Sequence, residues 1–203
     1  MAGKTASLST ARRVREAIAM FKDDELFTTQ QLLYCGSRAA IDSELSQMVL
    51  HEGLKRVTRG VFIKRELHKI SPREIAMVKA AAFGKMIYQH GLEAAFETGI
   101  IDEKPNSDGV FTFYTSGCSS SFKFGIYTIR FVSTSARKRK LPDDEIGKIL
   151  KAVWQLGRRN VDRTMVKARH AKFKLKGEKA KSFRIYILKT PLWLVKSFYP
   201  TLA

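Results

Sequence analysis

Apolar positions recur along this chain at two spacings, and the points where the spacing changes mark its elements. Over residues 9–21, Val14, Ala17, Ile18 and Phe21 repeat on one face while Arg12, Arg13 and Arg15 lie mostly elsewhere, which predicts a first amphipathic helix. Thr28 and Thr29 then stand before Gln31, Leu32 and Leu33, the hydroxyl-then-apolar order of a capped helix start. Gly36 is expected to end this brief helix through a backbone conformation closed to other residues. Ser37 caps a longer helix over 37–52, in which Ile41, Leu45, Met48 and Val49 share the packed face and Arg38, Asp42, Ser43, Ser46 and Gln47 point outward. After Gly53, residues 54–57 and 61–64 read as two strands joined by Thr58, Arg59 and Gly60.

Helix, short helix, tight turn, second helix and two-strand ribbon form the order of a winged helix-turn-helix. Beyond it, Ser71-Pro72-Arg73-Glu74 joins a hydroxyl cap, a proline at the first helical position and a first-turn acid. That start is predicted to open a second domain, with Ile75, Val78, Ala82 and Met86 as the buried stripe of its first helix. A short helix over 92–96 follows, then the breaker-rich turn from Pro105 to Gly109 between strands at 110–114 and 126–132. Pro142, Asp143, Asp144 and Glu145 open a helix through Ile146, Ile149, Leu150, Val153 and Trp154 that stops at Gly157. A basic helix over 160–172, a last strand over 183–188 and a cap at Thr190-Pro191 complete the reading. The expected fold class is α+β: a winged helix-turn-helix at 1–68 and a mixed α/β domain at 69–203 with a strongly basic end.

Composition supports two small domains, since 203 residues with 44% hydrophobic content suffice for two packed cores. Charge is the stronger signal. A formal net charge of +18 favours a polyanionic partner through counterion release. The excess is uneven, because from Lys151 onward fourteen Lys or Arg face only Asp162 and Glu178. The most apolar late stretch is broken by Lys189, Pro191 and Lys196, so no membrane partner is expected. Lys4 has no apolar stretch after it, which argues against a secretory signal. Cys35 and Cys118 carry no stapling pattern, and a reducing cytoplasmic setting is the simpler expectation.

On the outward face of the second helix, Arg38 is suited to guanine, Gln47 to adenine and Ser43 to a base or phosphate. Thr29, Ser37, Lys55, Arg56, Thr58, Arg59 and Lys64 are the expected phosphate contacts, which position the module without reading sequence. A secondary basic patch is expected from Arg137, Lys138, Arg139, Lys140, Arg158, Arg159, Lys167, Arg169, Lys172 and Lys174. The partner implied is double-stranded DNA. Enzymatic alternatives are thinner. His51, His68, His90 and His170 are scattered, neither cysteine stands near another ligand, and no metal or other cofactor is expected. The 116–121 serine-rich stretch lacks the endings of a phosphate loop or nucleophile elbow and reads as a loop between strands. Glu97, Asp102, Glu103, Lys104 and Asp108 are the acids and lysine that a metal-dependent nuclease would use. Tyr186, Trp193, Phe198 and Tyr199 read as core, with base stacking the alternative.

Gly36-Ser37-Arg38-Ala39-Ala40-Ile41-Asp42, Leu45, Gly53-Leu54, Arg56 and Arg59-Gly60-Val61-Phe62 resemble the N-terminal winged helix of the AbiEi-type antitoxins of type IV toxin-antitoxin pairs. The resemblance spans about 11–65; residues 71–99 and Phe113-Tyr114-Thr115-Ser116-Gly117 are more loosely similar to the second domain of such proteins. It implies a repressor of its own operon that binds inverted repeats, and a second domain that counters a nucleotidyltransferase-like toxin. The long basic end departs from the pattern. A regulator of a mobile element unrelated to any toxin, and a protein- or RNA-docking module, use the same ingredients.

Overall fold

The computed structural model describes residues 9–65, 69–160 and 177–198 and is mixed α and β, with helices and two sheets. The chain forms two compact units, Met1–Lys85 with Lys123–Gly125, and Met86–Phe122 with Ile126–Ala203.

In the first unit, α1 (Thr10–Ala19) leads through strand β1 (Phe27–Thr28) into a 3-10 helix, Thr29–Cys35. There follow α2 (Arg38–His51), strands β2 (Lys55–Thr58) and β3 (Val61–Ile63), and α3 (Pro72–Ala81). Ser9, Ser37 and Ser71 each cap a helix, accepting the N–H groups of Arg12, Ala40 and Glu74 at 3.3, 3.3 and 3.2 Å. The core gathers Val14 and Ile18 of α1, Leu32 and Cys35 of the 3-10 helix, and Ile41, Leu45 and Met48 of α2. Each large aliphatic side chain so buried contributes about 1.5–3 kcal/mol. Phe27 and Phe62 face each other across the antiparallel sheet, ordered β1-β3-β2, and bring the sheet into the same core. Outside the core, Arg15 reaches from α1 to Glu44 of α2 and to Glu52 just beyond its end, at 2.6 and 2.7 Å, tying the two helices together.

Gly36 is required for a different reason from the expected one. Its φ of 163° is extended backbone open to any residue, but a Cβ there would lie 2.5 Å from the Thr10 hydroxyl. The start of α1 passes too close for a side chain. At Gly60 the backbone argument does hold, since φ is 75° in the two-residue turn between β2 and β3.

The expected boundary at 68/69 is displaced to residue 85, because α3 packs on β1 and β3 and so completes the first unit. Its cap is the expected one, a Ser71–Glu74 capping box with Pro72 at the start. Of the expected stripe Ile75 is buried, joined by Ala76 and Ala80, while Val78 and Ala82 are half-buried and Met86 lies exposed beyond the helix, which ends at Ala81.

The second unit holds β4 (Ile87–Gln89), α4 (Gly91–Glu97), β5 (Val110–Thr115), the first three residues of β6 (Ser120–Phe124), and β7 (Tyr127–Ser133). It continues through α5 (Ala136–Arg139), α6 (Glu145–Leu156), α7 (Glu178–Ile187) and α8 (Leu192–Phe198). Its sheet runs β4-β5-β7-β6, with β4 antiparallel to β5 and β5 parallel to β7, where Phe113 stands opposite Phe131. Strands β4 and β6 and helix α5 add to the expected elements. The strand expected at 183–188 is instead helix α7, whose Phe183 and Ile187 are buried four residues apart on one face. The Thr190 hydroxyl donates to the Ile187 carbonyl at 2.6 Å and closes α7. Phe198 is buried in this unit's core, with Tyr186 and Trp193 packed against it. Of the basic helix expected over 160–172, all but Asn160 lies outside the described residues, as does Tyr199. Among the described residues no helix is long and apolar enough to cross a membrane.

Candidate nucleic-acid interface

The cap at Ser37 and the glycine turn at 60 determine where the cations of the first unit go. Capping starts α2 with Arg38 exposed on its first turn, and the turn between β2 and β3 carries Arg59 at its tip, with Arg56 exposed on β2. All three guanidinium groups line one open groove between α2 and the hairpin, with Thr29, Ser46 and Leu50 on its walls. Among the described residues lining it, Asp42 is the one carboxylate, and it accepts from Arg38 Nε at 2.8 Å. That pair is half exposed, with side-chain accessibilities of 55% and 51%, so it is screened and exchanges readily for another anion.

Toward α3 the groove continues into a cavity of about 310 Å3, which shares Thr29, Arg38, Arg59 and Gly60 with it and adds Lys79 and the exposed ring of Phe83. No carboxylate stands among the described residues lining this part. Lys79 Nζ donates to the Arg59 carbonyl at 2.9 Å. Burial, and then the positive charges of Arg59 and Arg56, push the Lys79 ammonium below the usual lysine range. Thr29 is 1% exposed, and its hydroxyl oxygen has no hydrogen-bond partner among the described residues. Lys79 is the cation that sequence reasoning missed. Its signal is its place four residues after Ile75, on the side of α3 that carries that buried residue.

The remaining expected contacts are dispersed. Ser43 and Gln47 are exposed on α2 but outside the groove lining. The Ser37 hydroxyl is engaged as the α2 cap, and Ser46 Oγ donates to the Asp42 carbonyl at 2.8 Å. Lys55 is exposed at the start of β2, and Thr58 is half-buried at its end after a bulge. Lys64 turns away to Asp23 at 3.2 Å and to the Ala19 carbonyl at 3.4 Å.

In the second unit the expected basic patch is divided. Arg137, Lys140, Arg158 and Arg159 are exposed, while Arg139 is half-buried and donates to the Thr134 carbonyl. Lys138 is no surface residue: it is 8% exposed, donates to Gln155 Oε1 at 2.8 Å, and sits 4.8 Å from the centre of the Tyr114 ring. Burial lowers its pKa to about 8. Lys167, Arg169, Lys172 and Lys174 lie outside the described residues. The acids of the nuclease reading do not converge. Glu97 pairs with Lys148 at 2.6 Å, Asp108 accepts the Val110 N–H at 3.0 Å, and Asp102, Glu103 and Lys104 are exposed. Among the described residues no three His, Cys, Asp or Glu side chains gather as metal ligands. The serine-rich stretch is a loop over 116–119 and becomes β6 at Ser120.

Comparison of the chain with family models, with curated proteins and with solved structures gave no match.

Proposed function

We propose that the protein is a DNA-binding transcriptional regulator and that its first unit acts as a winged helix-turn-helix. The 3-10 helix and α2 are the helical pair, and the β2–β3 hairpin is the wing. One observation carries the reading: Arg38, Arg56 and Arg59, drawn from a helix start and a hairpin, line one open groove whose described lining residues include a single carboxylate. A convergence of guanidinium groups with so little counter-charge suits the phosphates of a duplex, to which they give charge-assisted hydrogen bonds. In this reading α2 enters the major groove. Arg38 leaves Asp42 for guanine, Ser43 and Gln47 read neighbouring bases, and Leu50 offers apolar contact to a thymine methyl. Arg56 and Arg59 hold the backbone.

The narrower reading, an antitoxin that represses its own operon at inverted repeats and counters a nucleotidyltransferase-like toxin, rests on the sequence resemblance over about 11–65. Binding of the full chain to duplexes selected from a random pool, followed by fluorescence anisotropy, tests the broader one. Arg38→Ala is expected to narrow the gap between selected and scrambled duplexes. Arg59→Ala is expected to weaken both alike and to reduce the salt slope by about one unit. Indifference of the wild-type chain to every duplex at low ionic strength overturns the proposal.

A further inference from the structure

The half of the groove that runs under α3 has a composition of its own. Arg38, Arg59 and Lys79 line it from three separate elements, and no carboxylate stands among its described lining residues. Cations brought together in this way repel one another, and an anion among them relieves that repulsion. Burial first, and the charges of Arg59 and Arg56 after it, lower the Lys79 pKa, so of the seat's cations Arg59 stands near enough to Lys79 to repel it. The second observation is independent of charge. Thr29 lines the same space, is 1% exposed, and carries a hydroxyl with no hydrogen-bond partner among the described residues. An unsatisfied buried hydroxyl is destabilising, so a position that keeps one is a position where a ligand can offset the loss. Gly60 leaves this side of the hydroxyl uncovered, since a Cβ built on it would stand in van der Waals contact with that oxygen, at 3.9 Å.

We infer that this cavity is a seat for a phosphoryl group, held by Arg59, Lys79 and Arg38 and oriented by the Thr29 hydroxyl. The inference rests on the DNA-binding reading and extends it to α3, naming a phosphate-recognising role for Lys79: a duplex phosphodiester in the seat is held by Arg59 and Lys79 while Arg38 stays on its base, whereas a free ester takes all three cations. The phosphoryl group has two possible sources, a backbone phosphodiester of the duplex or a free phosphate ester. Phosphate geometry suits the donors, since guanidinium and ammonium groups supply charged N–H donors and the hydroxyl supplies one neutral donor. The exposed ring of Phe83 at the rim adds a stacking surface for a base attached to the phosphate.

The test uses the full chain at constant ionic strength, with inorganic phosphate and adenosine 5′-monophosphate as free probes and a scrambled duplex as the phosphodiester probe. Amide chemical shifts of Thr29, Arg59, Gly60 and Lys79 report occupancy. Saturable shifts centred on these residues are expected, weakened about tenfold by Lys79→Gln, the equivalent of one charge-assisted hydrogen bond. Thr29→Val keeps the shape and removes the hydroxyl; it is expected to weaken the probes while raising the unfolding midpoint of the free protein. That opposite pair of changes separates a ligand-facing hydroxyl from a merely structural one. If Lys79→Gln weakens duplex and free probes alike, the source is the backbone; if it weakens only the free probes, the source is a free ester. Shifts that fail to saturate, or variants that titrate as the wild type, overturn the inference. Loss of duplex binding with phosphate binding intact overturns the DNA-binding reading and leaves the seat standing.

Discussion

His90 makes the second unit acid-sensitive in a way that can be worked out in advance. The side chain is 9% exposed and serves as the cap of α4, its Nδ1 accepting the Leu92 N–H at 3.3 Å while its ring lies 4.6 Å from that of Tyr114. Burial first, and the Lys138 ammonium second, lower its pKa from 6.5 to about 4. Protonation also removes the lone pair that accepts from Leu92. Because the folded-state value is depressed, the stabilisation is complete above pH 6.5, where both states hold a neutral ring. It is lost as pH falls toward 4, because the unfolded chain takes up the proton first. The whole difference amounts to about 3 kcal/mol, of which about 1.4 kcal/mol is gone by pH 5.5. Both tryptophans, Trp154 and Trp193, pack in this unit, so intrinsic fluorescence during urea unfolding reads it selectively. His90→Asn keeps a capping acceptor without a titrating ring. The difference in stability between wild type and variant is expected to shift by roughly 3 kcal/mol between pH 7.5 and 4, while carboxylates common to both cancel. Parallel pH profiles for the two proteins would refute the assignment.

Three further outcomes follow from the packing. Gly36→Ala forces a methyl group against Thr10 and is expected to cost the first unit about 1–3 kcal/mol, with partial recovery on adding Thr10→Ala, both read by denaturant midpoints. Ser37→Ala removes the hydroxyl that caps α2 and is expected to lower stability by about 1 kcal/mol, whereas Ser37→Asp should retain it, as thermal unfolding will show. Thiol titration of the native protein should label exposed Cys118 at once and buried Cys35 only on unfolding of the first unit; equal reactivity of the two would contradict the core described for α1 and α2.

The elements that sequence patterning anticipated are those set by contacts close along the chain. Serines ahead of α1, α2 and α3 announce their helices because a cap acts on backbone groups three residues away, and Gly60 announces its turn through its own φ. Whether α3 folds back on β1 and β3 is settled by tertiary contacts, and so the place of Lys79 in the groove is not legible in the sequence. Phe183-Arg184-Ile185-Tyr186-Ile187 alternates as a strand would, yet Phe183 and Ile187 also satisfy the helical interval, and packing decides between the two. Strand β4 has three residues and β6 opens on two serines, too little for either period to register. In the candidate site, Arg38, Arg56 and Arg59 were legible from cap and turn. Lys64 was not, since its pairing with Asp23 joins residues far apart in sequence. Nor was Lys138, whose place in a run of four basic residues suggests solvent, although Gln155 and the Tyr114 ring hold it inside.

The parallel pairing of β5 with β7 bears on how the chain is made. Strand β7 occupies the middle of its sheet, between β5 and β6, yet it is the last of the four to leave the ribosome. Until Ser133 has emerged, β5 has β4 on one side and a bare row of backbone donors and acceptors on the other, the kind of edge to which other nascent chains adhere. Rapid closure of the local β6–β7 ribbon, followed by its docking as a unit onto β5, is the route that keeps this exposure short.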